Sequence, residues 1–499
     1  MNHKLFNLIK SLSKNEKGYF KKFASIYSKT ESIYFAMFDE IDKQKVFDEE
    51  SIKVKLFSQN AKTNNYNVAK NYLYNIILKS LRSFHSEKKA SQKVNLLFNN
   101  IEILYQKKLL KQCSSELKKL KKLIYEYELY NRSSEALIWE RRILALNGFS
   151  PKYDKLEEEI YKERNHLKKL ITDFDIYTNV QYKLYSLTIQ AGKRRNKDVI
   201  KKLDALVSND LFQNDDKDLS NRVKIIHYNT KCKYYEFIGD EEKFYYYSEK
   251  FITTLEENPF LIKENIENLV NGLYNLLIAS TNLKLKEKFY FYFRKFNEIP
   301  KTYAKYSSKE LQNLIAFYAL NLLLQFLISI EDFESANDLD VIELPLKENK
   351  MKGVFKLIYI ELLYFTSYVS FNIGNHIETQ SKLQRLLNNP NLVFRKDILL
   401  FSKLLDIINH YELENYLLVS NLVDTLKNNI SKQKTEYKFD KQVLKMISQL
   451  VKMKTKKQKH SVYLHYLEIF NKLRENKIEQ HAFDHLNIVK WITTKLIKI

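Results

Sequence analysis

The scarcity of turn-forming residues constrains this chain more than any other feature. Only seven glycines and five prolines occur in 499 residues. Folds rich in β-strands, and α/β enzymes, need such residues at many more turns. Long helices joined by short connections do not need them. The sequence therefore predicts an all-α chain.

Four of the five prolines recur at nearly regular intervals. Pro259, Pro300, Pro345 and Pro390 are separated by 41, 45 and 45 residues. A proline cannot continue a helix, and it biases the preceding residue away from helical angles. We therefore expect each of these prolines to close a unit of two helices. Such a period, with two helices per unit, predicts a helical solenoid.

The stretch from Phe355 to Pro390 shows the unit most clearly. Apolar residues recur at helical spacing on both sides of Gly374-Asn375. Gly374 fits the position just after a helix, where the backbone is often left-handed. The stretch therefore predicts an αα-hairpin that turns at Gly374. Gly192 and Gly239 are predicted to form equivalent turns.

The predicted hairpins begin near Lys93. Their helix pairs are Val94–Lys107 with Leu109–Tyr127, Ser133–Asn147 with Pro151–Lys169, Asp175–Ala191 with Asn196–Val207, Asn221–Ile238 with Glu241–Glu257, Asn265–Ser280 with Leu285–Asn297, Leu311–Ile328 with a helix from Asp332, and Lys396–Tyr411 with Glu414–Asn428. Ser13 and Glu16 have capping-box spacing, and so do Ser307 and Glu310, which predicts helix starts at both places.

Three regions follow from these patterns. Residues 1–90 are predicted to form an N-terminal helical bundle that caps the array. Residues 91–431 form the repeat array, and residues 432–499 form a basic C-terminal helical cap. The basic helices of the first region also suit a DNA-binding helix-turn-helix, but the Asn-rich link from Phe57 to Tyr66 is too long for its tight turn.

The repeated units resemble degenerate tetratricopeptide repeats. Phe237-Ile-Gly-Asp240 and Asn372-Ile-Gly-Asn375 carry the resemblance, each between an aromatic-rich helix and an amphipathic one. The units exceed the family's usual length of about 34 residues, and most of its consensus is missing. The resemblance implies a right-handed α-solenoid of stacked helical hairpins and a protein-binding scaffold.

The formal net charge of +23 has two possible origins. One is a polyanionic partner, either a nucleic acid or an anionic membrane. The other is a composition rich in the residues that AT-rich codons encode, which raises the lysine content without selection for a partner.

The most basic segment runs from Lys441 to Lys459 and contains seven lysines and no acidic residue. The candidate binding residues are Lys441, Lys445, Lys452, Lys454, Lys456, Lys457 and Lys459. A run of like charges creates a local positive field that attracts an acidic protein surface or a phosphate backbone. We predict a partner or polyanion site here.

The sequence contains no motif of a common enzyme class. It has no P-loop and no dinucleotide-binding or nucleophile-elbow motif. His481 and His485 have the only spacing typical of metal ligands, with Asp484 beside them, but no Glu occupies the position that a zinc protease needs and the third ligand is unspecified. We therefore expect neither a catalytic residue nor a cofactor or metal site.

The two cysteines, Cys113 and Cys232, are too few for a disulfide framework, which fits a reducing compartment. We find no signal-peptide core and no uninterrupted apolar run long enough to span a membrane. A cytoplasmic location is therefore expected.

The leading functional prediction is a non-catalytic scaffold or adaptor that binds a protein or peptide on a helical-repeat surface. The alternative is a nucleic-acid-binding regulator that uses its basic terminal regions, with the repeat array as a sensor. The sequence does not indicate an oligomeric state.

Overall fold

The computed structural model describes residues 3–27, 33–57, 63–86, 89–146, 153–191, 197–208, 216–339, 353–431, 437–476 and 479–498. Within these ranges the chain forms twenty-five α-helices and three short 3₁₀ segments, and no β-strand. The predicted all-α class is confirmed.

The chain divides into two compact units, residues 1–168 and 169–499. The boundary lies inside a single 39-residue helix, Tyr153–Ala191. The predicted break in this stretch, between Lys169 and Asp175, is wrong because no residue there interrupts the helix. The predicted turn at Gly192 and the predicted unit end at Pro345 lie outside the described residues.

The first unit contains the following helices: α1 (Lys4–Ser11), α2 (Lys14–Tyr27), α3 (Ile33–Lys43), α4 (Glu49–Leu56), α5 (Thr63–His85), α6 (Ala90–Gln106), α7 (Leu110–Glu126), α8 (Ser133–Leu146) and the start of α9 (Tyr153–Ala191). Helices α1 to α5 share one core, in which Phe38 and Leu73 are fully buried. The capping box is present at the start of α2. The Ser13 N–H donates to the Glu16 carboxylate at 2.8 Å, and the Glu16 N–H donates to Ser13 Oγ at 3.3 Å.

The second unit contains the remaining helices: α10 (Lys197–Val207), α11 (Asn221–Ile238), α12 (Glu241–Glu257), α13 (Pro259–Glu264), α14 (Ile266–Asn282), α15 (Lys286–Thr302), α16 (Lys309–Ser329), α17 (Phe333–Asn337), α18 (Val354–Asn372), α19 (His376–Leu387), α20 (Lys396–Glu412), α21 (Tyr416–Ser431), α22 (Lys438–Lys452), α23 (Lys456–Arg474), α24 (Gln480–His485) and α25 (Ile488–Lys498).

Five hairpins of the second unit turn in the same way. One or two positions after the end of each first helix, a residue has a positive φ, between 55° and 83°. These left-handed residues are Gly239, Lys284, Glu331, Gly374 and Glu414. The N–H of the next residue then donates to the carbonyl five positions earlier, as in the Schellman motif. These bonds join Asp240 to Tyr235 (3.1 Å), Leu285 to Ser280 (2.9 Å), Asp332 to Leu327 (2.9 Å), Asn375 to Ser370 (3.0 Å) and Asn415 to His410 (3.0 Å).

The hairpins pack in chain order. Each first helix contacts its own second helix, and successive first helices α14, α16, α18, α20 and α22 contact one another. One core continues from Phe317 to Ile492, so the C-terminal helices share it with the preceding hairpins.

Pro259 and Pro390 lie where a unit end was predicted, and Pro300 does not. Pro259 begins α13, and Pro390 begins the 3₁₀ segment Pro390–Phe394, so both lie in connections between hairpins. Pro300 does not close its unit, because it lies inside α15, which continues to Thr302. The capping box expected from Ser307 is also shifted. Ser308 caps α16 instead, and its Oγ accepts from the Leu311 N–H at 3.1 Å.

Two helices, α16 and α18, are long and apolar enough to cross a membrane by length and composition alone. In α18 the residues from Ile358 to Phe371 are all buried inside the protein. Burial on every side explains the apolar composition of α18 as well as a membrane span would, since a core helix is apolar all round.

Candidate partner-binding site

Helix α22 carries the first lysines of the basic segment. Its apolar residues face the core, where Val443, Ile447 and Leu450 are fully buried. Lys445 and Lys452 lie on the exposed side of the same helix. The strong amphipathic pattern therefore fixes both lysines at the surface.

A capping box joins α22 to α23. The Gln458 N–H donates to Thr455 Oγ1 at 3.2 Å, and the Gln458 side-chain oxygen accepts from the Thr455 and Lys454 N–H groups, each at 3.2 Å. The connection between the two helices is therefore only three residues long, from Met453 to Thr455. Sequence reasoning missed this capping box, although Thr-x-x-Gln before a helix is its usual signature.

Two of the seven predicted lysines are not freely exposed. The Lys459 ammonium lies 5.6 Å from the ring centroid of Tyr411 and 5.3 Å from that of Tyr416. Burial lowers the pKa of Lys459, but the two tyrosines raise it by more, so the net shift is upward. Lys441 is half-buried and has interactions of its own.

The other five lysines form the basic turn: Lys445, Lys452, Lys454, Lys456 and Lys457. All are exposed, and none makes an ion pair with a carboxylate of the described residues. Lys456 and Lys457 occupy the first turn of α23, where the helix dipole already places positive charge. A bound anion would relieve this repulsion.

Turns of three consecutive hairpins lie along the same edge of the second unit. The contact of Lys459 with Tyr416 places the basic turn beside the α20–α21 turn. Near the end of α20, the Asn409 side chain donates to the His376 carbonyl at 3.0 Å. This bond places the α18–α19 turn beside the α20–α21 turn. We refer to these three turns together as the turn edge.

The C-terminal helices fold back onto the first helices of earlier hairpins. The Trp491 indole N–H donates to the Glu412 carboxylate at 2.5 Å, and Lys495 pairs with the same carboxylate. Lys490 pairs with Glu331 at 2.8 Å. Glu331 lies in the α16–α17 turn and Glu412 is the last residue of α20, so α25 lies against the turn ends of these hairpins.

Two tyrosines of α18 bond to the backbone of the C-terminal segment. The Tyr364 hydroxyl donates to the His485 carbonyl at 2.7 Å, and the Asn487 N–H donates to the Tyr368 hydroxyl at 3.2 Å. The sequence indicated a terminal cap and did not indicate these contacts over more than 100 residues.

Other polar side chains of the second unit form internal clusters. Arg395 bonds Glu361 at 2.6 Å and Asp397 at 2.8 Å, and all three side chains are largely buried. His485 is buried, and its ring stacks on Phe401 at 4.7 Å, so this histidine is a core residue. Among the residues described, no group of three His, Cys, Asp or Glu side chains could hold a metal ion.

Comparison with known proteins finds no match to this chain among protein-family models, curated proteins or solved structures. The resemblance to tetratricopeptide repeats therefore depends on the residues quoted above. The candidate site likewise depends on the geometry of this chain alone.

Proposed function

We propose that this chain is a non-catalytic scaffold that binds a protein or peptide partner, and that its hairpins form a right-handed α-solenoid of the tetratricopeptide type. The recurring left-handed turn and the packing of successive first helices support the architecture. In such arrays each unit contacts its neighbours and leaves an extended surface for binding.

The observation that carries the proposed function is the basic turn. Its five lysines are exposed and have no acidic partner among the described residues, and two rigid helices with a capping box hold their backbone. Charge held in this way attracts an acidic segment and favours fast association.

The proposed binding surface is the part of the turn edge that α25 leaves open. At the ends of α16 and α20, α25 already occupies part of this edge through Lys490, Trp491 and Lys495. The turn edge remains exposed at the basic turn and at the starts of the second helices.

Nucleic-acid binding by the basic segment has less support. Proteins that hold single strands combine lysines with exposed aromatic rings on which bases stack. Here the rings nearest to the basic turn, Tyr411 and Tyr416, pack under Lys459. The exposed neighbours Leu417 and Leu418 are aliphatic.

The test reverses the charge of four lysines together, Lys452, Lys454, Lys456 and Lys457, to glutamate. We expect the purified variant to lose protein partners that the wild type retains at low salt and releases at moderate salt, since exposed charges are screened. A matched control reverses Lys107, Lys111, Lys118 and Lys122, which are also exposed and outside the ion pairs of the described residues.

Loss of nucleic acid with retention of protein partners would favour the alternative function. Equal recovery of proteins and nucleic acid by wild type and variant would contradict a binding role for the basic turn. Circular dichroism and melting of both variants show whether the fold is intact.

A further inference from the structure

Exposed aliphatic side chains accompany the basic turn on the turn edge. Ile377 is 78% exposed, Leu417 is 81% exposed and Leu418 is 42% exposed. Ile377 and Leu417 each occupy the second position of a second helix, α19 and α21, so they are equivalent residues of consecutive hairpins.

The packing of the helices does not account for these side chains. Helix α19 buries Thr379, Leu383 and Leu386, which lie on its other side. Helix α21 buries Val419 and Val423 in the same way. Isoleucine and leucine at the outward positions leave apolar surface in water, at a free-energy cost that burial by a partner would remove.

The charges near these side chains are predominantly positive. Tyr416 directly precedes Leu417 and contacts Lys459, which brings Leu417 next to the basic turn. Three carboxylates lie on the same edge. Glu378 directly follows Ile377 and pairs with Lys382 at 2.6 Å. Glu412 is bonded to Trp491 and Lys495, and Glu414 is exposed in the α20–α21 turn.

We propose that the turn edge binds an acidic segment of a partner protein that also carries aliphatic side chains. Ile377 and Leu417 act as the apolar anchors, and the basic turn faces the carboxylates of the segment. This inference rests on the proposed function and specifies the chemistry of its partner.

The arrangement favours a peptide over an anionic lipid surface. Lys452, Lys454, Lys456 and Lys457 lie at one end of the edge, at the α22–α23 turn, and the aliphatic anchors lie at the other two turns. Glu414 lies in the same turn as Leu417, where it would repel the headgroups of a negatively charged membrane. A segment with carboxylates at one end and aliphatic side chains at the other matches this order.

The test measures binding of two fluorescein-labelled peptides by fluorescence anisotropy. One peptide has a block of glutamates followed by spaced leucines, and the other has serines in place of the leucines. We expect the leucine peptide to bind the wild type about tenfold or more tightly, because burial of a leucine side chain contributes at least that much.

The double variant Ile377→Ser/Leu417→Ser is expected to bind both peptides with the weaker affinity of the serine peptide. The matched control is Val393→Ser/Phe394→Ser. These residues are also exposed, but they lie in the 3₁₀ segment at the opposite end of α19. We expect the control to preserve the difference between the peptides.

Equal binding of both peptides by wild type would overturn this inference and leave the proposed function standing. No binding of either peptide at low salt would overturn both. The same variants are also tested for sedimentation with phosphatidylserine vesicles. If the wild type sediments with the vesicles and Ile377→Ser/Leu417→Ser does not, the turn edge binds lipid, and the proposal of a peptide partner is overturned.

Discussion

The ring of Phe251 occupies the space that a β-carbon on Gly272 would need. Such a carbon would stand 2.4 Å from Phe251 Cδ1 and 2.7 Å from Ile252 Cδ1. The absence of a side chain at Gly272 therefore allows α12 and α14 to approach closely. Gly272→Ala is expected to lower the free energy of unfolding by about 1–3 kcal/mol, because the overpacked ring has to move.

Gly18 provides the control for this substitution. It also lies inside a helix, α2, but nothing lies within 4 Å of its β-carbon position. Gly18→Ala is expected to raise the stability by about 0.5–1 kcal/mol, because glycine is disfavoured in a helix interior. Denaturant unfolding of both variants measures the contrast, and two changes of the same sign would contradict the packing argument.

The left-handed turns predict opposite effects at Gly374 and Glu414. Both have positive φ, 83° and 60°, but only Gly374 is free of the strain that a side chain causes there. Gly374→Val is expected to cost about 1–2 kcal/mol, and Glu414→Gly to gain about 0.5–1 kcal/mol. Thermal melting of both variants checks the signs. An unchanged melting temperature for Gly374→Val would contradict the argument that a side chain is strained at this position.

The buried charges at Arg395 predict a large loss on removal of one partner. Arg395 bonds both Glu361 and Asp397, and each side chain is about one-tenth exposed. Arg395→Met leaves two buried carboxylates without their cation, and a loss of about 3–5 kcal/mol is expected. In Arg395→Met/Glu361→Met one of these carboxylates is gone, so part of the loss should be recovered. A double variant less stable than the single one would argue against this account.

His227 predicts a pH dependence of stability. Its ring lies between Tyr177 and Tyr228, with ring centroids 5.5 Å away on each side. The pKa of His227 is lowered to about 4, mainly by burial and also by the charge of Lys231, while Asp216 opposes both effects. In the unfolded chain the imidazole has its ordinary pKa near 6.5.

The unfolded state therefore binds the proton first as the pH falls. The contribution of neutral His227 to the free energy of unfolding is complete above about pH 6.5. It is lost progressively towards pH 4, by about 3 kcal/mol at most. In His227→Phe the ring contacts remain and the titration is gone. Urea unfolding at several pH values from 7 to 4 gives the free energy of unfolding as a function of pH. This free energy should fall less steeply for the variant than for the wild type, and an identical fall would contradict the prediction.

The turns show what the sequence could predict and what it could not. Gly239 and Gly374 were identifiable because glycine is the residue that most readily adopts a positive φ. Lys284, Glu331 and Glu414 have the same conformation, but lysine and glutamate carry no signal for it. These turns follow from the packing of the helices on either side.

One signal in the sequence was overlooked. Glu242–Phe251 and Glu287–Phe296 share the pattern Glu-Lys-Phe-Tyr-x-Tyr-x-x-Lys-Phe, 45 residues apart. In the structure these segments lie at corresponding places in the second helices α12 and α15. The pattern marks the repeat more directly than the prolines do.

The candidate site was predictable only in part. The lysine run is evident in the sequence, but the packing of Lys459 under two tyrosines depends on contacts with α20 and α21. The position of Leu417 beside the basic turn also needs the fold, because more than 30 residues separate it from Lys452. Local patterns do not report which turns lie on the same edge.

The five hairpin turns are held by bonds between backbone groups, from the N–H after the left-handed residue to a carbonyl of the first helix. Every residue except proline can make this bond, so mutation can exchange nearly every side chain of the turn and keep the hairpin. Lysine, glutamate and glycine already share the left-handed position here. Successive hairpins of one chain can therefore lose their common sequence pattern while they keep a common backbone conformation. The sequences of such hairpins can diverge long before their structures do.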